Sequence, residues 1–245
     1  CIPETVSSAV CCFPSIKNAI EASTLIIQSA IPIARLEFVG EVSISIINDF
    51  SNTKMKKKPH LFLEFHGSKK AVEEQSLEVE EIINDFNGQD FKWSIKTEDR
   101  NKLWNARHNA FYAYKSSYPE REPIVTDVCV PISKLTKIIL STQEDIEESG
   151  LPGPIIGHVG DGNFHAVLMI RKDNNGDKEK ALEIISKMVI RALEEKGTSS
   201  GEHGIGIGKA KFMQKEHGKS LEIMKAIKQT IDPKNIMNPG KIFQS

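Results

Sequence analysis

Twice along the 245 residues, a strand-like run is followed by an amphipathic helix, two more strand-like runs, a second helix and a last extended stretch. In the first half, Thr5–Phe13 mixes small and apolar residues as a strand does. Pro14-Ser15 then opens a helix through about Ala30, with Ile16, Ile20 and Ile27 on one stripe and the small Ser23 between them. Ile33–Val39 and Leu61–Phe65 read as strands, separated by a short helix near 41–50 and a Lys-rich loop. His66-Gly67-Ser68 leads into an acidic amphipathic helix over about Lys69–Asn87, and Gln89–Ile95 closes the half as a strand. The second half repeats the order without visible sequence similarity. It has a strand at Ile124–Pro131, a helix at Ser133–Glu148, a hairpin within 154–170, a long helix at Lys178–Glu195 and a short closing strand at Gly197–Gly201. With the short helix set aside, this is β-α-β-β-α-β twice, which predicts a duplicated ferredoxin-like α+β architecture. The pseudo-halves are 1–96 and 97–201, and a helical extension over 202–245 carries helices near 209–216 and 219–231 before an irregular tail.

At 39% hydrophobic and 27% charged residues, the chain has ample apolar material for a core. A net charge of −1 gives no electrostatic reason to expect nucleic acid or an anionic membrane as partner. Lys54-Met55-Lys56-Lys57-Lys58 precedes Pro59 and reads as a solvated loop. Cys1, Cys11, Cys12 and Cys129 lack metal-ligand spacing and mostly lie in apolar runs, as reduced core residues of an intracellular protein would. No apolar run approaches the roughly 20 residues that span a bilayer. A start at Cys1 without a Met suggests a fragment, and any targeting peptide would lie upstream.

The chemistry concentrates in Gly157-His158-Val159-Gly160-Asp161-Gly162-Asn163-Phe164-His165. Asp161-Gly162 between apolar runs predicts a β-hairpin with a type I′ turn. That register sets His158 directly across from His165, with Cβ atoms about 4.5–5.5 Å apart. Alternation puts Asn163 on the His165 face and turns Val159 and Phe164 to the other. A pair of partly exposed histidines beside a stable turn is the plainer alternative. The glycines at 157, 160 and 162 leave the backbone bare, as close approach by a ligand requires.

Thr97-Glu98-Asp99 opens a helix with a capping hydroxyl and two acids, and Leu103, Trp104, Arg107, Ala110, Phe111 and Tyr114 share one stripe of it. Arg107 in that row is either a snorkelling cation or a bidentate grip for a carboxylate. Ser199–Lys209 is not a phosphate loop, because His203 stands at the first glycine position and Ala210 follows Lys209. What it offers is Glu202 and His203 side by side in a flexible loop. His158, His165 and Glu202 would form a ligand set of two imidazoles and one carboxylate with open positions for substrate on Zn, Mn or Fe, with His203 as general base. The sequence does not place the hairpin against the loop. A metal-dependent hydrolase and a non-catalytic ferredoxin-like binding module with structural histidines are therefore both open readings of these residues.

Three separated motifs, Gly157–His165, Ser200-Gly201-Glu202-His203-Gly204-Ile205-Gly206 and Asn238-Pro239-Gly240-Lys241-Ile242-Phe243, together resemble the C-terminal domain of FAD-linked oxidases of the vanillyl-alcohol oxidase type. Leu103-Trp104-Asn105-Ala106-Arg107-His108 and Thr126-Asp127-Val128-Cys129-Val130-Pro131 extend the resemblance toward mitochondrial FAD-dependent dehydrogenases of D-2-hydroxy acids such as D-lactate, over essentially the whole chain. The resemblance implies that His158, His165 and Glu202 hold a divalent metal, Zn or Mn, that binds the carboxylate and 2-hydroxyl of the substrate. It implies that Arg107 grips the carboxylate, Asn163 assists, His203 takes the hydroxyl proton as hydride leaves for FAD, and Asn238 reaches the flavin. It further implies a mitochondrial cap and substrate domain, inactive alone, with FAD held chiefly by an N-terminal domain and an electron acceptor such as cytochrome c. No additional basic residue stands around Val125-Thr126-Asp127, which favours a substrate with a small or apolar side chain.

Overall fold

The computed structural model describes residues 2–243. The chain runs β1 (Thr5–Cys12), α1 (Ile16–Gln28), β2 (Ile33–Val39), α2 (Glu41–Ser51), β3 (His60–Gly67), α3 (Lys69–Asp85) and β4 (Gln89–Ser94). It continues through α4 (Thr97–His108), α5 (Ala110–Ser117), β5 (Arg121–Val125), β6 (Val128–Cys129), α6 (Leu135–Ser149), β7 (Ile155–His158), β8 (Asn163–Arg171), α7 (Asn175–Glu194), α8 (Met213–His217) and α9 (Ser220–Ile231). The α+β class is as expected. Ser15 and Ser68 cap α1 and α3 by accepting the N–H of Asn18 and Ala71 at 3.2 and 3.3 Å.

All eight strands form one antiparallel sheet in the order β4-β1-β3-β2-β7-β8-β5, with β6 also on β8. The first half thus contributes β4-β1-β3-β2, and α2 stands between β2 and β3. The halves meet where β2 pairs with β7, through Phe38 with Gly157 and Val39 with Ile156. Alternation along the strands separates two cores. Leu36, Phe38, Phe164, Ala166 and Leu168 face α1, α3, α6 and α7, while Val39, Phe62, Ile156, Val167 and Met169 face α2, α4 and α5. Phe164 is wholly buried between two polar neighbours that point the other way. Its burial is worth about 2–3 kcal/mol, and truncation to Ala costs about 3–5. Gly157 exists for this ring, since a Cβ there would lie 2.6 Å from Phe164 Cβ.

Four expectations are corrected. First, the stretch 124–131 is two strands, because Thr126 breaks the ladder: its Oγ1 accepts the Ala166 N–H at 2.7 Å and Asp127 turns inward. Second, 197–201 supplies only a bridge between Thr198 and Cys129, since the chain then bends toward Asp127. Third, the helix from Thr97 divides at Asn109 (φ −82°, ψ 2°), which leaves Phe111 exposed, and Thr97 is its first residue rather than its cap. Fourth, the hairpin loop is longer than two residues, and the strands end with His158 opposite Asn163 and Ile156 opposite His165. Val159–Asp161 forms a 3-10 turn and only Gly162 takes a left-handed φ, 77°, where an added Cβ would strike Val130 O at 2.1 Å. Cys11 and Cys12 are buried as expected, Cys129 is half-buried, and Cys1 lies outside the described residues.

Candidate metal centre

The shifted register still brings the histidines together, as diagonal neighbours on one face of β7 and β8. Their rings meet edge-on with centroids 5.6 Å apart. Glu202 arrives from the loop after α7, and its Oε1 lies 3.0 Å from His165 Nε2 and 3.4 Å from His158 Nε2. Ligand atoms at about 2.0–2.2 Å from one ion, at tetrahedral or octahedral angles, stand about 3.0–3.5 Å from each other. Both spacings from Glu202 Oε1 meet that requirement, and the three ligand atoms all lie within 4.8 Å of one another. Asp127, His165 and His203 form a second, overlapping group of possible donors.

Each histidine also has its other nitrogen occupied. His165 Nδ1 lies 2.9 Å from the Thr126 carbonyl oxygen, and His158 Nδ1 lies 2.7 Å from Glu37 Oε1. A carbonyl can only accept, so His165 carries its proton on Nδ1 and presents the Nε2 lone pair to Glu202. Hydrogen bonds of this kind orient imidazoles that ligate metals. Burial pushes His165 below the ordinary imidazole range, which keeps it neutral, and the bond to Glu37 raises His158. Burial alone would raise the Glu37 carboxyl, but the bond to His158 and the charge of Arg107 hold it below its usual range. Arg107, buried on α4, donates from NH2 to Glu37 Oε2 at 2.8 Å, and its Nε has no partner.

Asp127 organises the loop. It is 1% exposed and accepts from Asn163 Nδ2 (2.8 Å), Ser200 Oγ (2.9 Å), His203 N (3.0 Å), Glu202 N (3.2 Å) and Lys209 Nζ (3.3 Å). The Glu202–His203 loop is thus pinned rather than free, although Glu202 and His203 keep half-exposed side chains. The His203 ring stacks on His165 at 5.1 Å and 17°, with Nε2 3.8 Å from Glu202 Oε1. Asn163 Oδ1 is buried without a partner.

Residues 2–242 match the family described as FAD linked oxidases, C-terminal domain. The chain belongs to this family. Similar proteins include a probable mitochondrial D-lactate dehydrogenase of Danio rerio, 44% identical over 99% of this chain and 49% of the relative. The mitochondrial D-lactate dehydrogenase [cytochrome] of Arabidopsis thaliana is 38% identical over 99% of this chain and 43% of its own. This FAD-linked oxidase C-terminal domain thus spans about half the length of the curated relatives it matches. Its fold is also that of 4-ethylphenol oxidase from Gulosibacter chungangensis in its isoeugenol complex, with a TM-score of 0.75 at 14% identity, covering 100% of this chain and 55% of that one.

Within the oxidase domain, His158, His165, Glu202, His203 and Asn163 lie together, and Arg107 joins them through Glu37. Asn238 lies apart from them, in the exposed tail, at φ 46°. It lines a groove of about 1050 Å³ with Gly206, Lys228 and Met237. Beside that groove Ile223, Ile227 and Ile231 of α9 stand exposed on one stripe. Sequence reasoning missed Glu37, Asp127 and Lys209. The available signal was an acid inside a strand-like apolar run, which is rarely buried without a partner. Among the described residues no helix is long and apolar enough to cross a membrane.

Proposed function

We propose that this chain is the substrate and metal half of a mitochondrial FAD-dependent dehydrogenase that oxidises a D-2-hydroxy acid of the D-lactate kind to the 2-keto acid. The carrying observation is the approach of Glu202 Oε1 to both imidazole Nε2 atoms, each ring oriented through Nδ1. The mitochondrial D-lactate dehydrogenases among its relatives, the Arabidopsis one of them cytochrome-linked, support this substrate class, location and acceptor.

His158, His165 and Glu202 would hold a divalent ion, Zn or Mn, whose Lewis acidity lowers the pKa of a bound hydroxyl, while bound FAD supplies the hydride acceptor. This chain's residues do the rest. Arg107 and Asn163, next to the ligand set, hold and orient the substrate carboxylate. His203 accepts the hydroxyl proton at Nε2, on the side facing Glu202. Asn238 reaches toward the flavin from the tail, and the exposed stripe of α9 faces the N-terminal FAD-binding half, because an apolar stripe of this kind marks a contact surface.

Two measurements test the reading. Metal analysis of the chain should return about one divalent ion, lost in His165→Ala and Glu202→Ala, and the chain joined to its flavin-binding half should reduce flavin with D-lactate but not L-lactate. A chain that takes no ion, or flavin reduction unaffected by Glu202→Ala, overturns it.

A further inference from the structure

We propose that Glu37 is the positioning residue of the metal site, holding His158 in its Nδ1–H tautomer with Nε2 aimed at the ion, and that Arg107 keeps the Glu37 carboxylate in place. The inference rests on the metal reading above and names the residue that tunes it.

The fold places these groups in register. Phe38 pairs with Gly157 in the antiparallel ladder that joins the two halves, so one residue further along Glu37 stands opposite His158 on the same face. The two carboxylate oxygens are divided: Oε1 goes to His158 Nδ1 at 2.7 Å and Oε2 to Arg107 NH2 at 2.8 Å. A carboxylate kept only to neutralise a buried arginine would have no need of the histidine. Glu37 and Arg107 are 9% and 8% exposed, so neither charge is tolerable without the other.

Contrast within the site sharpens the point. His165 is oriented by a neutral acceptor, the carbonyl of Thr126 at 2.9 Å, and His158 by an anion. A hydrogen bond to an ionised acceptor is roughly twice as strong as a neutral one, and it makes the imidazole a more basic ligand. His158 is the more exposed ring of the two, with side-chain exposures of 33% against 6%, so it has the greater need of an external hold. Glu37 comes from the half of the sheet that carries none of the ligands. The junction between β2 and β7 is therefore part of the site's construction.

The test uses two variants of the chain, freed of metal and retitrated with Zn2+ and, separately, Mn2+. Glu37→Gln keeps size and an acceptor atom but removes the charge. The double variant Glu37→Leu with Arg107→Met removes both charges together and avoids a lone buried cation. Affinity should fall about 10–100-fold in each. At a pH high enough to keep the His158 ring neutral, its 15N shifts in the metal-free double variant should move from a pure Nδ1–H pattern to a mixture of tautomers, which loss of packing alone would not produce. Folded variants that bind the ion as tightly as wild type, with the His158 tautomer unchanged, overturn this inference and leave the metal reading standing. A wild-type chain that binds neither ion overturns both.

Discussion

Asp127 Oδ2 accepts the backbone N–H of His203 at 3.0 Å, so one buried carboxylate fastens the segment that carries both Glu202 and His203. Burial alone would raise its pKa, but the His203 N–H, the Asn163 amide and the Lys209 ammonium override that and hold it well below the usual carboxylate range. A depressed native pKa stabilises the fold above the unfolded value of about 3.9 and stops doing so as pH falls through the native one. Asp127→Asn keeps the shape but puts a donor NH2 where one of two acceptor oxygens meets these five donors, and leaves Lys209 short of its counter-charge. It should cost about 1–3 kcal/mol at pH 7 in urea unfolding, and the gap to wild type should narrow as pH drops below 4. A gap that stays constant over that range would count against the hub.

Much of the site was legible in the residues, for local reasons. Period-2 alternation needs no tertiary knowledge, so it put Asn163 and His165 on one face and Phe164 on the other. The hairpin register was misread because Asp161-Gly162 resembles a two-residue turn, whereas Gly162 is held by the approach of Val130 O, a contact no dipeptide rule contains. Glu37 and Asp127 were not found because what occupies them is distant. Glu37 meets His158 only through the β2–β7 junction, and Asp127 meets the 200–209 loop only because Thr126 interrupts the strand. Arg107 could be read as snorkelling or as gripping, and it turned out to be buried on a carboxylate from the other half.

Gly201 is placed for close approach. A Cβ there would lie 1.9 Å from Asn163 Nδ2 and 2.9 Å from Asp127 Oδ1. Gly201→Ala must push the loop away from Asn163 and withdraw Glu202 from the two imidazoles. Stability should fall by about 1–3 kcal/mol, as overpacking does, and ion affinity should fall as well. Calorimetric unfolding and competition titration report the two effects separately, and wild-type affinity in Gly201→Ala would show that the contact does not set the site.

Tyr114 is wholly buried under α2, and its hydroxyl makes no hydrogen bond of ordinary geometry, while the nearby Ser43 Oγ donates to the Ile155 carbonyl at 3.1 Å. Burial pushes the phenol up to about 12, ahead of smaller opposing effects from Ser43 and Arg107. An unsatisfied buried hydroxyl is a cost, so Tyr114→Phe should be neutral or stabilise by up to about 1 kcal/mol. Chemical denaturation measures this directly. A loss of stability would mean that the hydroxyl has a partner after all.

His203 stacks on His165 but stands outside the trio of His158, His165 and Glu202, with Nε2 at 3.8 Å from Glu202 Oε1 and its side chain 47% exposed. A ligand and a base respond differently to replacement, which separates the two roles. His203→Gln removes the proton acceptor and leaves the three donors and their orienting bonds in place. Metal analysis should still find one ion per chain, while D-lactate-dependent flavin reduction in the complete enzyme should slow by about 10²–10⁴-fold, the usual worth of a positioned base. His165→Gln should lose the ion, and flavin reduction with it. Were His203→Gln to lose the ion while His158→Gln kept it, the ligand group would be Asp127, His165 and His203, and the base would have to be sought elsewhere on this face of the sheet.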